Sequence, residues 1–369
     1  MPRYAHVTGW GMAVPDQILT NADLSHMVDT TDEWIVERTG IRERHIANDH
    51  ETTASLATDA ALKALEMANL DPANVDLIVV STSSPEHIFP ATACLVQDRI
   101  GALKAGAFDL SAACTGFIFA LNMVAQAIRT GSVKNALVIG SETLSRLVDW
   151  NDRNTCILFG DGAGAFVVQA SDVPGGVLSA VMRSDGSGGD LLSLPAGGSR
   201  LPASAATVAD GLHYIQMNGR EVFRFATRVM AQATREAVQI AKLQMDDIQV
   251  IIPHQANQRI IESAARHLEI PMERVVVNVG AYGNTSTASI PIATCEAIEK
   301  GRLQAGDKVV FVGFGAGLTW GAAVVQWSGP ILEKPKRRLP KSYRAWAKTR
   351  SFLRRLLRYV EGWIWGRLE

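Results

Sequence analysis

A chain of 369 residues, 47% hydrophobic and with 31 glycines, is too long for one simple layer; it suits two domains or one large duplicated α/β unit. Its four cysteines have no CxxC spacing, which speaks against a disulfide framework and a zinc site. No run of 18 uncharged apolar residues could span a membrane, the N-terminal MPRYAHVTGWGMAVP lacks the apolar core of a secretory leader, and the net charge is −1, so a soluble, reduced, cytoplasmic protein with no nucleic-acid partner is expected.

In chain order, a helical pattern over 52–68 precedes a β-branched run at 75–82. A short strand at 107–111 leads to Cys114, and an almost wholly apolar helical pattern follows at 117–128. Strands are expected at 136–141 and 165–170, a long helix at 219–243, a strand at 248–253 and a helix at 257–268. The body closes with a strand at 274–279, a helix at 287–300 and a strand at 308–314. Such alternation points to mostly parallel sheets covered by helices.

The pattern repeats. The stretch 107–142 resembles 275–315, and Gly131 falls on Gly301 at an offset of 170 residues, which carries Cys114 onto Asn284. Two halves, 1–172 and 173–330, are therefore expected, with their strand–helix joints meeting mid-molecule. The tail is different: residues 331–369 hold 12 Lys+Arg against 3 Asp+Glu, leaving 24 against 34 for the first 330.

Three polar positions interrupt this apolar frame. Cys114 sits at a helix N-terminus, where the helix dipole favours thiolate. His254 in 253-PHQAN-257 and Asn284 in 280-GAYGNTSTAS-289 each follow a strand, where open α/β sheets collect ligands. Each has an ordinary alternative: Cys114 as a small buried hydrophobe, His254 as a satisfied polar residue, Asn284 as a helix cap. Cys94, Cys156 and Cys295 lie inside helical or strand-like patterns and are expected to be packing residues.

The motifs 29-DTTDEWIVERTGIRERHIA-47, 111-SAACTGF-117, 152-DRNTCILFGDGAGA-165, 254-HQANQRI-260, 283-GNTSTASIP-291 and 313-GFGAGLTWGAA-323 stand in the order seen in 3-oxoacyl-acyl-carrier-protein synthase III, which this chain resembles over residues 3–328. The resemblance implies a thiolase-like five-layer αβαβα fold built from two duplicated βαβαβ halves, and a homodimer. It implies that Cys114 takes an acyl group from acyl-CoA, and that His254 and Asn284 stabilise the enolate formed when malonyl-acyl carrier protein loses carbon dioxide. Acyl-CoA is then a substrate, and no metal or redox cofactor is expected.

Further roles carry over by the same resemblance. The backbone N–H groups of Cys114 and Ala316 would form an oxyanion hole. Trp34 and Arg153 would sandwich the coenzyme's adenine, and Thr30, Arg38 and Asn257 would line its pantetheine and phosphate path. Phe89 would reach the partner's acyl pocket, and Arg224, Arg259 and Arg266 would dock the acidic carrier protein. Rival readings are a cysteine-protease-type hydrolase, whose local signature is missing, a relative serving a secondary pathway, and a non-catalytic membrane-associated scaffold.

The tail lies outside the family pattern. Pro335 and Pro340 mark a linker. From Tyr343 on, Trp346, Leu353, Leu356, Leu357, Val360 and Ile364 fall on one helical face, Arg344, Lys348, Arg355 and Arg358 fall on the other, and Trp363 and Trp365 add aromatic bulk. Three roles are open: peripheral contact with an anionic membrane, packing on the body or across a dimer, and a dock for the carrier protein.

Overall fold

The computed structural model describes residues 3–329 and 342–365. Two sheets form its frame. The first runs in the order Tyr4–Ala13, Asp161–Ser171, Asn135–Thr143, Leu77–Ser81, Gly106–Leu110. The second runs Gly176–Ser184, Thr319–Gln326, Lys308–Gly315, Val250–Pro253. In both, the first two pairings are antiparallel and the next is parallel. The sheets are thus two copies of one topology, and they divide between Ser171 and Gly176.

Helices fill the layers around them. Gly116–Thr130 packs on strands of both sheets, as does Ser289–Glu299, so these two form the middle layer. Thr53–Met67 covers the outer face of the first sheet and Gly219–Ile240 that of the second. The middle helix Gly116–Thr130 buries Phe117, Ile118, Leu121, Val124 and Ile128 completely, because it has a sheet on either side. Each such side chain contributes about 1.5–3 kcal/mol. Phe166 ties the layers together: its ring meets Phe117 at 4.9 Å, Phe311 at 5.9 Å and Trp327 at 5.7 Å.

Two expectations for the body need correction. The expected strand at 274–279 is a single bridge, Ile251 to Val275. Side chains take the backbone groups a strand would have paired. Gln255 donates to Val276 O and accepts from the N–H groups of Asn278 and Val279, and Arg302 donates to Val275 O. The duplication also has a different register at its joints. Gly116 and Ser289 open the central helices 173 positions apart, and Ala113 and Ser286, again 173 apart, share a left-handed backbone with φ of 46° and 48°. Cys114 therefore corresponds to Thr287, not Asn284. The offset of 170 holds only at Gly131 and Gly301, because the second helix ends sooner.

In the tail, Ser342–Trp365 is a helix, as its spacing predicts. It lies on Thr92–Ile100, and it does so through the stripe opposite its apolar row. Packing of the apolar row on the body of the same chain is thereby overturned. The linker with Pro335 and Pro340, and the side chains of Arg344, Lys348, Trp363, Ile364 and Trp365, lie outside the described residues. No helix among the described residues is long and apolar enough to cross a membrane.

Arg44 locks the N-terminal segment to the site. It is fully buried; Nη1 donates to Leu19 O and to Asn21 Oδ1 (2.9 Å), and Nη2 to Ile157 O (2.7 Å). Burial pulls its guanidinium down to about 10. The loop it grips carries Leu158, whose carbonyl accepts the Asn284 N–H at 2.8 Å. Arg44→Met is expected to cost on the order of 3 kcal/mol in denaturant unfolding, because unpaired buried acceptors cost about 1–3 kcal/mol each. A loss below about 0.5 kcal/mol, within the range of ordinary surface substitutions, would refute this role.

Candidate active site

Cys114, His254 and Asn284 share one cleft of 520 Å³, whose walls also include Trp34, Arg38 and Asn257. Each arrives at the end of a buried element. Cys114 lies in the short turn Ala113–Thr115 that starts the central helix, and it is 8% exposed. The strand Lys308–Gly315 ends directly against it. A Cβ on Gly315 would stand 2.7 Å from the Cys114 nitrogen, so only glycine fits there. Ala316 follows half-buried in the turn, outside the cleft lining, and its carbonyl accepts from Thr319 Oγ1.

His254 follows Pro253 at the end of its strand and is 1% exposed. Its Nδ1 lies 2.7 Å from Ser289 Oγ, and that hydroxyl also accepts the Gln255 N–H at 3.3 Å. In the tautomer in which the Ser289 hydroxyl donates to Nδ1, the proton sits on Nε2. Nε2 is buried and has no protein partner. Burial pulls the imidazole down to about 3, so it is a neutral donor near neutral pH.

Asn284 is 7% exposed and is pinned by its backbone on both sides, to Leu158 O and from Gly160 N. Its Oδ1 accepts the Ser286 N–H at 2.8 Å, which leaves the Nδ2 end as the donor. Asn284 is not the cap of the helix that follows: Ala288 occupies that position, with no side-chain capping bond.

Two groups went unnoticed in the sequence. Ser286 donates its hydroxyl to Cys114 Sγ at 3.3 Å, joining the two halves at the reactive atom. Glu142 lies fully buried beside them, held by Ser83 N–H, Ser84 N–H and the Ser84 hydroxyl (2.6 Å); burial raises its carboxyl above the usual range. Ser286 stands in the quoted GNTSTAS motif, but only tertiary contact reveals its partner. The expected thiolate is also corrected. Burial pushes the Cys114 thiol up to about 12; the Ser286 hydrogen bond works against this and the nearby Glu142 adds to it. Desolvation is the largest of these causes.

The remaining residues spread outward from the cleft floor. Arg38 and Arg153 both stack on Trp34, their guanidinium carbons 4.3 Å and 5.1 Å from the ring centroid. Arg153 also donates to the carbonyl (2.8 Å) and the carboxylate (3.1 Å) of Asp29. Asn257 caps its helix through Arg259 N–H and donates to Arg38 O. Thr30 is not part of the cleft lining, and its buried Oγ1 has no protein partner. Arg224, Arg259 and Arg266 are exposed; Arg224 pairs with Glu221 and Arg259 lies over Phe223, which lines the cleft. Phe89 stands 85% exposed, away from the cleft of its own chain. Of the other cysteines, Cys156 and Cys295 are buried packing residues as expected, whereas Cys94 is exposed.

Duplicated sheets with a cysteine, a histidine and an asparagine at their seam define a thiolase-fold condensing enzyme. The profile of 3-oxoacyl-[acyl-carrier-protein] synthase III matches residues 108–186, and that of its C-terminal region matches residues 238–327. A beta-ketoacyl-[acyl-carrier-protein] synthase III of Roseiflexus sp. (strain RS-1) is 52% identical over 328 residues, covering 89% of this chain and all of the relative. One from Desulfitobacterium hafniense (strain DSM 10664 / DCB-2) is 55% identical over 322 residues, 87% of this chain and 97% of the relative. The crystal structure of the Aquifex aeolicus VF5 synthase III superposes with a TM-score of 0.81 at 47% identity, covering 88% of this chain and all of that one. The chain belongs to the beta-ketoacyl-acyl-carrier-protein synthase III family.

Alkylation of Cys114 by iodoacetamide should rise about tenfold per pH unit, with no plateau below about pH 11, because the thiolate fraction grows until the pKa of about 12 is reached. A plateau near pH 7 would show an ion-paired thiolate instead.

Proposed function

We propose that this enzyme initiates fatty acid synthesis by condensing an acyl-CoA primer with malonyl-acyl carrier protein, through an acyl thioester on Cys114. The observation that carries the reading is the unpartnered Nε2 of His254, buried in the same cleft as Cys114 and the donor end of Asn284.

The chemistry follows from the protonation states. Cys114 Sγ attacks the acyl-CoA carbonyl; the carbon–sulfur bond to coenzyme A breaks, and the proton lost by the thiol ends on the departing coenzyme A. The backbone N–H groups of Cys114 and Ala316 are assigned to the oxyanion of this step. Malonyl-acyl carrier protein then loses carbon dioxide. Negative charge collects on its thioester oxygen, where His254 Nε2–H and Asn284 Nδ2–H donate; a neutral histidine suits this because it gives a hydrogen bond without giving up its proton. The enolate carbon attacks the acyl-Cys114 carbonyl, the carbon–sulfur bond breaks, and the departing Cys114 sulfur takes one proton from solvent to return to the thiol. Every electron pair is supplied by substrate or thiol, so these steps call for no metal or redox cofactor.

The reading extends outward. Trp34, Arg153, Thr30, Arg38 and Asn257 are assigned to the coenzyme's path, and Arg224, Arg259 and Arg266 to the acidic carrier protein. A homodimer is supported by the open edge strand Gly106–Leu110, with Phe108 44% exposed, and by the protruding pair Ile88 and Phe89. Phe89 would then enter the partner's acyl pocket.

Cys114→Ala is expected to abolish the acyl adduct seen by mass spectrometry after incubation with acyl-CoA, whereas single replacements of Cys94, Cys156 or Cys295 keep it. His254→Ala and Asn284→Ala should spare that adduct and lower malonyl decarboxylation by about 10²–10³ each. Equal damage to both half-reactions would mean that these residues support Cys114 rather than the enolate.

A further inference from the structure

The helix Ser342–Trp365 is attached to the body the wrong way round for a packing element. Tyr343 donates its hydroxyl to Ile100 O at 2.9 Å, Ala347 is buried, Ser351 bonds to Asp98, and Arg355 Nη2 reaches the same carboxylate at 3.4 Å. These positions are four apart and form one stripe of the helix. The apolar row runs along the other side: Trp346, Leu353, Leu356, Leu357 and Val360 are 50%, 51%, 47%, 60% and 42% exposed. A helix added for stability would bury this row and leave the polar stripe in water.

We propose that this helix seats the enzyme on an anionic lipid surface, a role separate from the condensation chemistry. Charge selects the occupant. Arg350, Arg354, Arg355 and Arg358 lie beside or behind the apolar row, and Glu361 is the one acid among the helix side chains described. Trp346 and Tyr359 carry the amphipathic rings favoured at a lipid–water boundary, and Phe352 adds exposed apolar bulk. The acidic body gains a basic contact strip, so the enzyme is drawn to the surface without a membrane span.

The test is flotation of the full-length protein with vesicles of phosphatidylcholine alone and with half phosphatidylglycerol, at low and high salt. The comparison is the full-length Leu353→Glu/Leu357→Glu variant, whose changes fall on exposed positions. Expected is flotation of the parent with the anionic vesicles only, weakened by salt, and at least a tenfold loss in the variant with condensing activity in solution unchanged. Three results would overturn the proposal. One is a parent that stays in solution with anionic vesicles at low salt. Another is a variant that has become monomeric, showing that a second copy covers the row. The third is a raised KM for malonyl-acyl carrier protein in the variant without loss of flotation, showing a carrier dock.

Discussion

The structure turns on a contact of 3.3 Å between the Ser286 hydroxyl and the Cys114 sulfur. It is where the two halves of a duplicated fold touch. Each half sends one central helix into the seam, and each helix is entered through a residue in the left-handed region, Ala113 and Ser286. Such backbone costs on the order of 1–3 kcal/mol at a residue with a side chain, and it persists only where surrounding packing dictates it. Here the packing comes from two sheets pressing on one layer of helices. The tight approach of Gly315 to the Cys114 nitrogen belongs to the same constraint, since any side chain there would push the strand off the helix.

Burial is the consequence, and it sets the electrostatics. It raises the Cys114 thiol, raises Glu142 and lowers His254, so the thiol and the imidazole rest uncharged near neutral pH. An uncharged imidazole can meet charge that arrives with a substrate. Nε2 of His254 and the donor end of Asn284 are fixed by second partners, Ser289 and the Ser286 N–H. Under the proposed mechanism little reorganisation is then needed for an enolate between them, and burial makes each hydrogen bond count for more.

Much of this was legible in the sequence. The helices at 52–68, 117–128, 219–243 and 257–268 carry their own period, and Cys114, His254 and Asn284 stand out as polar breaks at the ends of apolar runs. The strands Tyr4–Ala13, Gly176–Ser184 and Thr319–Gln326 were not read, because glycine and polar residues blur their pattern and their partners lie far away in sequence. The run at 274–279 misled for the opposite reason: its valines fit a strand, but the side chains of Gln255 and Arg302 satisfy its backbone. Ser286 and Glu142 were hidden because what matters about them is a tertiary neighbour. The thiol's raised pKa was hidden too; a helix N-terminus is visible in a sequence, whereas the depth of burial around it is not.

The central claim is that one developing oxyanion is received jointly by His254 and Asn284 beside Cys114. The most direct measurement is a crystal structure of the Cys114→Ser protein with a malonyl-thioester analogue that cannot lose carbon dioxide. The account predicts the thioester oxygen within hydrogen-bond distance, about 3 Å, of both His254 Nε2 and Asn284 Nδ2. An analogue that places this oxygen on the backbone at Cys114 and Ala316, with Nε2 bound to a carboxylate or to nothing, would contradict it.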